Sequence, residues 1–190
     1  MRILHISDTH GMHDRVGELP LADVLVHSGD FTNTGTEGEV LDFLNWLIKQ
    51  PHRYKIFVVG NHDLCLWDAV DIEDLPDDIY FLQDRGAVID GVKFFGLGYN
   101  HNEALIPDAV DVLVTHEPPL DILDQTMGTH WGNQPLLKRI EEVAPRVHLF
   151  GHAHDDCGTL ERNGTLFSNA SLLDDFNRIA HAPRVIDVDT

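Results

Sequence analysis

Five short apolar runs constrain this chain most: Ile3-Leu4-His5-Ile6, Val24-Leu25-Val26, Ile56-Phe57-Val58-Val59, Val112-Leu113-Val114 and Val147-His148-Leu149-Phe150. They are β-branched and too short for helices, so each predicts a strand buried on both faces. Two helices are signalled between them. Thr36 with Glu39 forms a capping-box pattern, and Val40, Leu41, Leu44, Leu47 and Ile48 make an apolar stripe that ends before Pro51. Pro135 suits the first turn of a second helix, with Leu136, Leu137, Ile140 and Val143 as its buried face. Asp90-Gly91 and Asn163-Gly164 predict tight hairpins. The expectation is a layered α/β domain spanning residues 1–190, with parallel strands early and antiparallel hairpins later.

The residues just after each buried run carry the chemistry. The first run ends in Asp8-Thr9-His10, the second in Gly29-Asp30, and the third in Gly60-Asn61-His62-Asp63. The fourth ends in His116, and the fifth in Gly151-His152-Ala153-His154. Ligands of open α/β sheets bind beyond the carboxyl ends of the strands, where loops converge. Five such ends carrying Asp, Asn and His therefore predict one polar cluster. Asp8 and His10, like His152 and His154, are two apart, so in extended backbone each pair points one way and grips one metal or two adjacent ones. Imidazole, carboxylate and one amide without thiolate suit Mn²⁺, Fe or Zn²⁺ in a catalytic site, not a closed structural zinc site.

Composition narrows the partners. The 190 residues include 32 acidic and 13 basic side chains, a net charge of -19. Tight binding to a nucleic-acid polymer needs Lys and Arg to replace phosphate counterions, so that partner is disfavoured. No apolar run approaches the ~20 residues of a membrane span, and the N-terminus lacks a signal-peptide pattern; cytoplasmic location is the expectation. Cys65 and Cys157 read as small buried apolar residues in a reducing compartment. The acidic run Asp68 to Asp78 reads as a solvated loop or short helix. His5, His27 and His148 read as buried, hydrogen-bonded strand residues, and His13 and Asp14 as solvent-exposed or supporting the ligands. His52, His101 and His181 carry no signal.

The ordered set Asp8-x-His10, Gly29-Asp30, Gly60-Asn61-His62-Asp63, His116 and Gly151-His152-x-His154 resembles the five signature blocks of the calcineurin-like metallophosphoesterases. Softer stretches resemble its small branch of metallophosphoesterase-domain-containing proteins: His27 to Thr32, Thr115 to Leu120, Gly128 to Gly132 and Asn169 to Ser171. The resemblance implies a four-layer β-sandwich of two mixed sheets flanked by helices, with metals at the strand C-terminal ends. It implies two divalent ions, Mn²⁺ first, with Fe, Zn²⁺ and Ni²⁺ as alternatives. Asp8, His10, Asp30 and His154 would hold one, and Asp30, Asn61, His116 and His152 the other. His62 would be a general acid that Asp63 orients or supports by its charge. His130 and Asn61 are candidate substrate contacts, with loop packing the equal alternative for His130, and Asn169 lines the cleft or caps a strand end.

The implied reaction is hydrolysis of a small phosphodiester, such as a cyclic nucleotide, by attack of a metal-activated water. A phosphomonoesterase or a nuclease would use the same site. Protein phosphatases carry Asp-Arg-Gly downstream of their Gly-Asp block, whereas here Gly29-Asp30 runs into Phe31-Thr32-Asn33-Thr34-Gly35, which disfavours protein substrates. A metal-binding scaffold without catalysis is the non-enzyme alternative, although every ligand position and His62 are present. Substrate, native metals and oligomeric state stay open.

Overall fold

The structure, a computed structural model, describes residues 1–99 and 102–189; His101 lies outside them. In chain order the elements are β1 (Arg2–Ile6), β2 (Val24–His27), α1 (Glu37–Ile48), β3 (Tyr54–Phe57), β4 (Ile79–Phe81), β5 (Arg85–Ile89), β6 (Val92–Gly96) and β7 (Val112–Val114). Then come β8 (Gln125–Thr126), β9 (Thr129–His130), α2 (Gln134–Val143), β10 (Val147–Phe150), β11 (Gly158–Arg162), β12 (Thr165–Asn169) and β13 (Arg184–Asp187).

Two mixed sheets form, in the orders β13-β1-β2-β3-β4 and β11-β12-β10-β7-β6-β5. β1 to β4 run parallel, as do β6, β7, β10 and β12; β13, β5 and β11 pair antiparallel at the edges. Parallel pairing therefore extends well beyond the early strands. Strand alternation sorts the core into three layers. Ile3, Val24, Val26 and Ile56 meet Phe94, Val112, Val114 and Leu149 between the sheets. Leu4, Ile6, Leu25 and Phe57 face outward against α1, and Phe95, Leu113 and Phe150 face α2. The result is the four-layer arrangement of helix, sheet, sheet and helix.

Local signals account for the elements. Thr36 and Glu39 form the reciprocal capping box of α1. Its buried face is Val40, Phe43, Leu44, Trp46 and Leu47, while Leu41 and Ile48 are exposed. The stripe is thus rotated from the expected one, because Phe43 stacks on Phe31 at 4.2 Å and draws the larger aromatics inward. Asn133 caps α2 by accepting from the Leu136 N–H at 2.9 Å. Both residues of Asp90-Gly91 and of Asn163-Gly164 have positive φ, the conformation a two-residue hairpin turn demands. The acidic segment 68–78 forms surface turns. Both cysteines are free, Cys65 exposed and Cys157 half-buried, which corrects the expectation that they are core residues. Among the described residues no helix is long and apolar enough to cross a membrane.

Candidate metal centre

Parallel strands bring their carboxyl ends to one rim, and the polar residues after them converge there. Asp8 and His10 follow β1, Asp30 follows β2, and Asn61 and His62 follow β3. His116 follows β7, and His152 and His154 follow β10, so both sheets contribute. A cleft of about 310 Å³ is lined by His10, Asp30, Asn61, His62, His152 and His154, together with Asn33, Asp175 and Asn177. Asp8 and His116 lie buried behind it. Asp8, His10, Asp30 and His152 all have φ in the left-handed region, between 42° and 70°. Such conformations cost roughly 1–3 kcal/mol each and persist where surrounding structure enforces them, typically at functional sites. The neighbouring glycines belong to the same construction. A Cβ on Gly60 would collide with Asp30, and one on Gly151 with Asp8.

Polar atoms converge at the cleft floor. Asp30 Oδ2 lies 3.7 Å from His10 Nε2 and 3.4 Å from His116 Nε2. Its other oxygen accepts the backbone N–H of His62 at 2.7 Å. Asn61 Oδ1 is 2.9 Å from both His116 Nε2 and His152 Nδ1. Asp8 Oδ1 is 3.3 Å from His154 Nε2. Behind them, His116 Nδ1–H donates to the Ser28 carbonyl at 2.9 Å, and His154 Nδ1–H to that of Asp174 at 3.3 Å. Backbone carbonyls thereby fix the tautomers and turn the Nε2 atoms inward, the usual support of metal-ligating histidines. The Ser171 hydroxyl donates to Asp8 Oδ2 at 2.7 Å.

The residues fit divalent ions. Asp8, His10 and His154 offer ligand atoms within 4.8 Å of one another, and so do Asp30, His116 and His152. His10 Nε2 is buried without a hydrogen-bond partner. Burial disfavours a charged His116, but the Asp30 carboxylate outweighs it and pushes the pKa up to about 10. Burial likewise opposes protonation of His154, and Asp8 overrides it, to about 9. His152, held down by burial and by His116, falls to about 4. Lone pairs facing lone pairs attract a cation, and without a metal a proton takes that place.

His62 sits at the cleft edge, its ring edge-on to His10 with centroids 4.7 Å apart. Its Nδ1–H donates to the Asn33 carbonyl at 2.8 Å, which leaves Nε2 available. His62 also meets the ligand spacing with His10 and Asp30. The hydrogen bonds of Asp63 go elsewhere than to the His62 ring. Its buried carboxylate accepts from the backbone N–H groups of Asp30, Thr32 and Gly60 and from the Thr32 hydroxyl, at 2.8–2.9 Å. It ties the loops of β2 and β3 together, and none of these bonds comes from the His62 ring. Burial and the charge of Asp30 push its pKa up to about 7 against those donors.

His130 is placed as a loop-packing residue would be. It lies on the small β8–β9 hairpin, not in the cleft lining, with Nδ1 2.6 Å from Asp124 and Nε2 3.2 Å from the Gln125 amide. Asn169 is fully buried and donates to the Leu123 and Ala153 carbonyls, bracing the loop that carries His152 and His154. His5, His27 and His148 are buried, with hydrogen bonds to Ser28 and Ser168, Thr9, and Thr115 respectively. His13 is buried as well, contrary to the expected exposure. The Asn33 carbonyl, Asp175 and Asn177 reach the site without a sequence signal of their own. Ser171 differs in standing within a stretch that resembles the branch.

A family model described as calcineurin-like phosphoesterase matches residues 1–156, a span that contains every residue of the convergent cluster. The chain belongs to the calcineurin-like phosphoesterases. Membership supports metal-dependent phosphoester hydrolysis. Relatives extend the match across the whole chain. A UPF0046 protein of Caenorhabditis elegans is 37% identical over 216 residues, covering 97% of this chain and 74% of its own length. Metallophosphoesterase domain-containing protein 1 of Homo sapiens is 32% identical over 233 residues, covering 100% of this chain and 71% of its own. A solved structure superposes with TM-score 0.69 over 97% of this chain and 98% of its own length, at 15% identity, which shows the shared fold.

Proposed function

We propose that this calcineurin-like phosphoesterase hydrolyses a small phosphodiester, with a cyclic nucleotide as the first class to try, using two divalent cations. The carrying observation is Asp30 Oδ2, one buried carboxylate oxygen that faces His10 on one side and His116 on the other. In this reading Asp8, His10, Asp30 and His154 hold one ion, and Asp30, Asn61, His116 and His152 hold the second. Bound there, the cations supply Lewis acidity toward phosphoryl oxygens and a water acidic enough to attack phosphorus near neutral pH.

The remaining work falls to the chain. The Asn33 carbonyl takes the Nδ1–H of His62, so the cleft-facing nitrogen is Nε2. A proton held at Nε2 passes to the departing alkoxide oxygen, general-acid assistance that typically contributes ~10²–10⁴-fold. Asp63 keeps the Asp30 and His62 loops in register through its backbone contacts. Ser171 and the His152 N–H hold the Asp8 carboxylate in place.

The lining favours a diester. No lysine or arginine is among the described lining residues, and Asp175 adds a carboxylate. Apart from bound cations and a protonated His62, the lining offers no positive charge to a monoester dianion, whereas a diester carries one negative charge. The test is side-by-side hydrolysis of bis-p-nitrophenyl phosphate and p-nitrophenyl phosphate with Mn²⁺ and with chelator. Metal-dependent cleavage that prefers the diester is expected. Preference for the monoester would make the chain a phosphatase. Inactivity with two ions bound would make it a scaffold.

A further inference from the structure

We propose that His13, Asp14 and Asp42 form a separate, peripheral site for one divalent transition-metal ion of the Zn²⁺ class. His13 and Asp14 lie in the 3-10 turn His13–Arg15 that follows β1, and Asp42 lies on α1. One imidazole nitrogen and two carboxylate oxygens lie within 4.8 Å of one another.

His13 carries the argument. Its side chain is 1% exposed, yet neither ring nitrogen makes a hydrogen bond. Nε2 points toward Asp42, 3.3 Å from Oδ2 but outside hydrogen-bonding geometry. The rings of Phe43 and Trp46, with centroids at 5.8 and 5.3 Å, pack against the imidazole. Buried polar atoms in native proteins almost always have a partner, so this ring is an exception that wants a reason. Burial also holds its pKa below the ordinary histidine value, in spite of Asp42 and Asp14. A neutral ring makes no strong ion pair with either carboxylate; it has a lone pair to give.

The surroundings suit an ion. Asp14 is exposed, and the Asp42 side chain is 66% exposed, so a cation enters from solvent and keeps water as its remaining ligands. One imidazole with two carboxylates is an ordinary donor set for Zn²⁺ and its neighbours. Held there, the ion ties the turn after Asp8 and His10 to α1, a strapping role without part in the reaction.

The experiment is zinc content per chain after equilibrium dialysis against Zn²⁺, for wild type and an Asp14→Asn/Asp42→Asn double variant. Both carboxylates are exposed, so the variant leaves the core intact. It is expected to hold one ion fewer per chain with turnover unchanged, and a zinc-edge anomalous peak should lie beside His13 Nε2 in wild-type crystals only. His13→Gln, checked by thermal melting, should lose the same ion. Equal zinc content in wild type and double variant overturns the proposal.

Discussion

In the hairpin cluster of Asp121, Asp124 and His130, both histidine nitrogens are already engaged, one by Asp124 at 2.6 Å and the other by Gln125 at 3.2 Å. Asp124 Oδ2 meanwhile accepts the backbone N–H groups of Asp121 and Gly132. In the cleft the same side-chain types are arranged the other way round. Backbone carbonyls take the outer nitrogens of His116 and His154, so their Nε2 atoms converge on carboxylates from other strands. Both clusters meet the spacing of metal ligands. The difference between them is where the spare hydrogen-bonding capacity goes: the hairpin uses it internally, and the cleft aims it at a common point.

Asp30→Ala tests the cleft side of this contrast most severely. Cation content is expected to fall from two to at most one, and turnover by at least about 10³-fold, as metal-supplied charge stabilisation of several kcal/mol is lost. Two ions retained by the variant would remove the shared-oxygen role and make Asp30 resemble Asp124. His62→Ala comes next. Turnover should drop about 10²–10⁴-fold with both ions kept. Equal loss of metal and activity would turn His62 into a ligand, as its spacing to His10 and Asp30 permits.

Asp63 lies in the cleft region but is built like Asp124, a buried carboxylate saturated by backbone donors. Asp63→Asn puts an amide N–H against such donors and leaves at least one buried N–H unpaired. The cost of unmet buried groups sets the expected stability loss at about 2–4 kcal/mol. Chemical denaturation measures it; a variant with native stability but lost activity would restore Asp63 to the reaction. Ser171→Ala is milder. It frees Asp8 Oδ2 from one donor, and supporting residues of this kind typically tune metal affinity by about 10–100-fold. Unchanged affinity would make Ser171 a packing residue.

The cleft was legible because strand ends can be read from apolar runs, and parallel strands send those ends to one rim. Asp8, Asp30, Asn61, His116 and His152 needed no long-range knowledge beyond that. The hydrogen-bond partners of Asp63 and His130 were not legible. Asp63 follows His62 in sequence, yet the chain turns between them and sends the carboxylate back toward the amides of Asp30 and Gly60. His130 sits in a Gly-x-His-x-Gly stretch whose destination depends on the hairpin that Asp124 braces. Likewise, the rotation of α1 by Phe43 and the burial of His13 depend on packing between elements, which periodicity within one element does not record. Asp175 and Asn177 reach the cleft from a segment beyond the apolar runs.

The hairpin side of the contrast yields the smallest effects and a distinct pH signature. His130→Gln should leave cation content unchanged and turnover within about twofold, as for a surface substitution. In the native chain the Asp124 contact raises the His130 pKa above its ordinary value. A histidine whose folded pKa is raised stabilises most when protonated in both states. Its contribution is therefore complete below about pH 6.5 and is lost as pH climbs through the elevated value. Solvent at the exposed ring screens the pair and keeps the contribution small. Melting temperatures followed from about pH 5.5 to pH 9 should show a shallow decline in wild type that His130→Gln flattens, on top of whatever the rest of the chain contributes. A matching flattening of the pH–rate profile would instead tie the hairpin to the cleft, and the two clusters would no longer be separate devices.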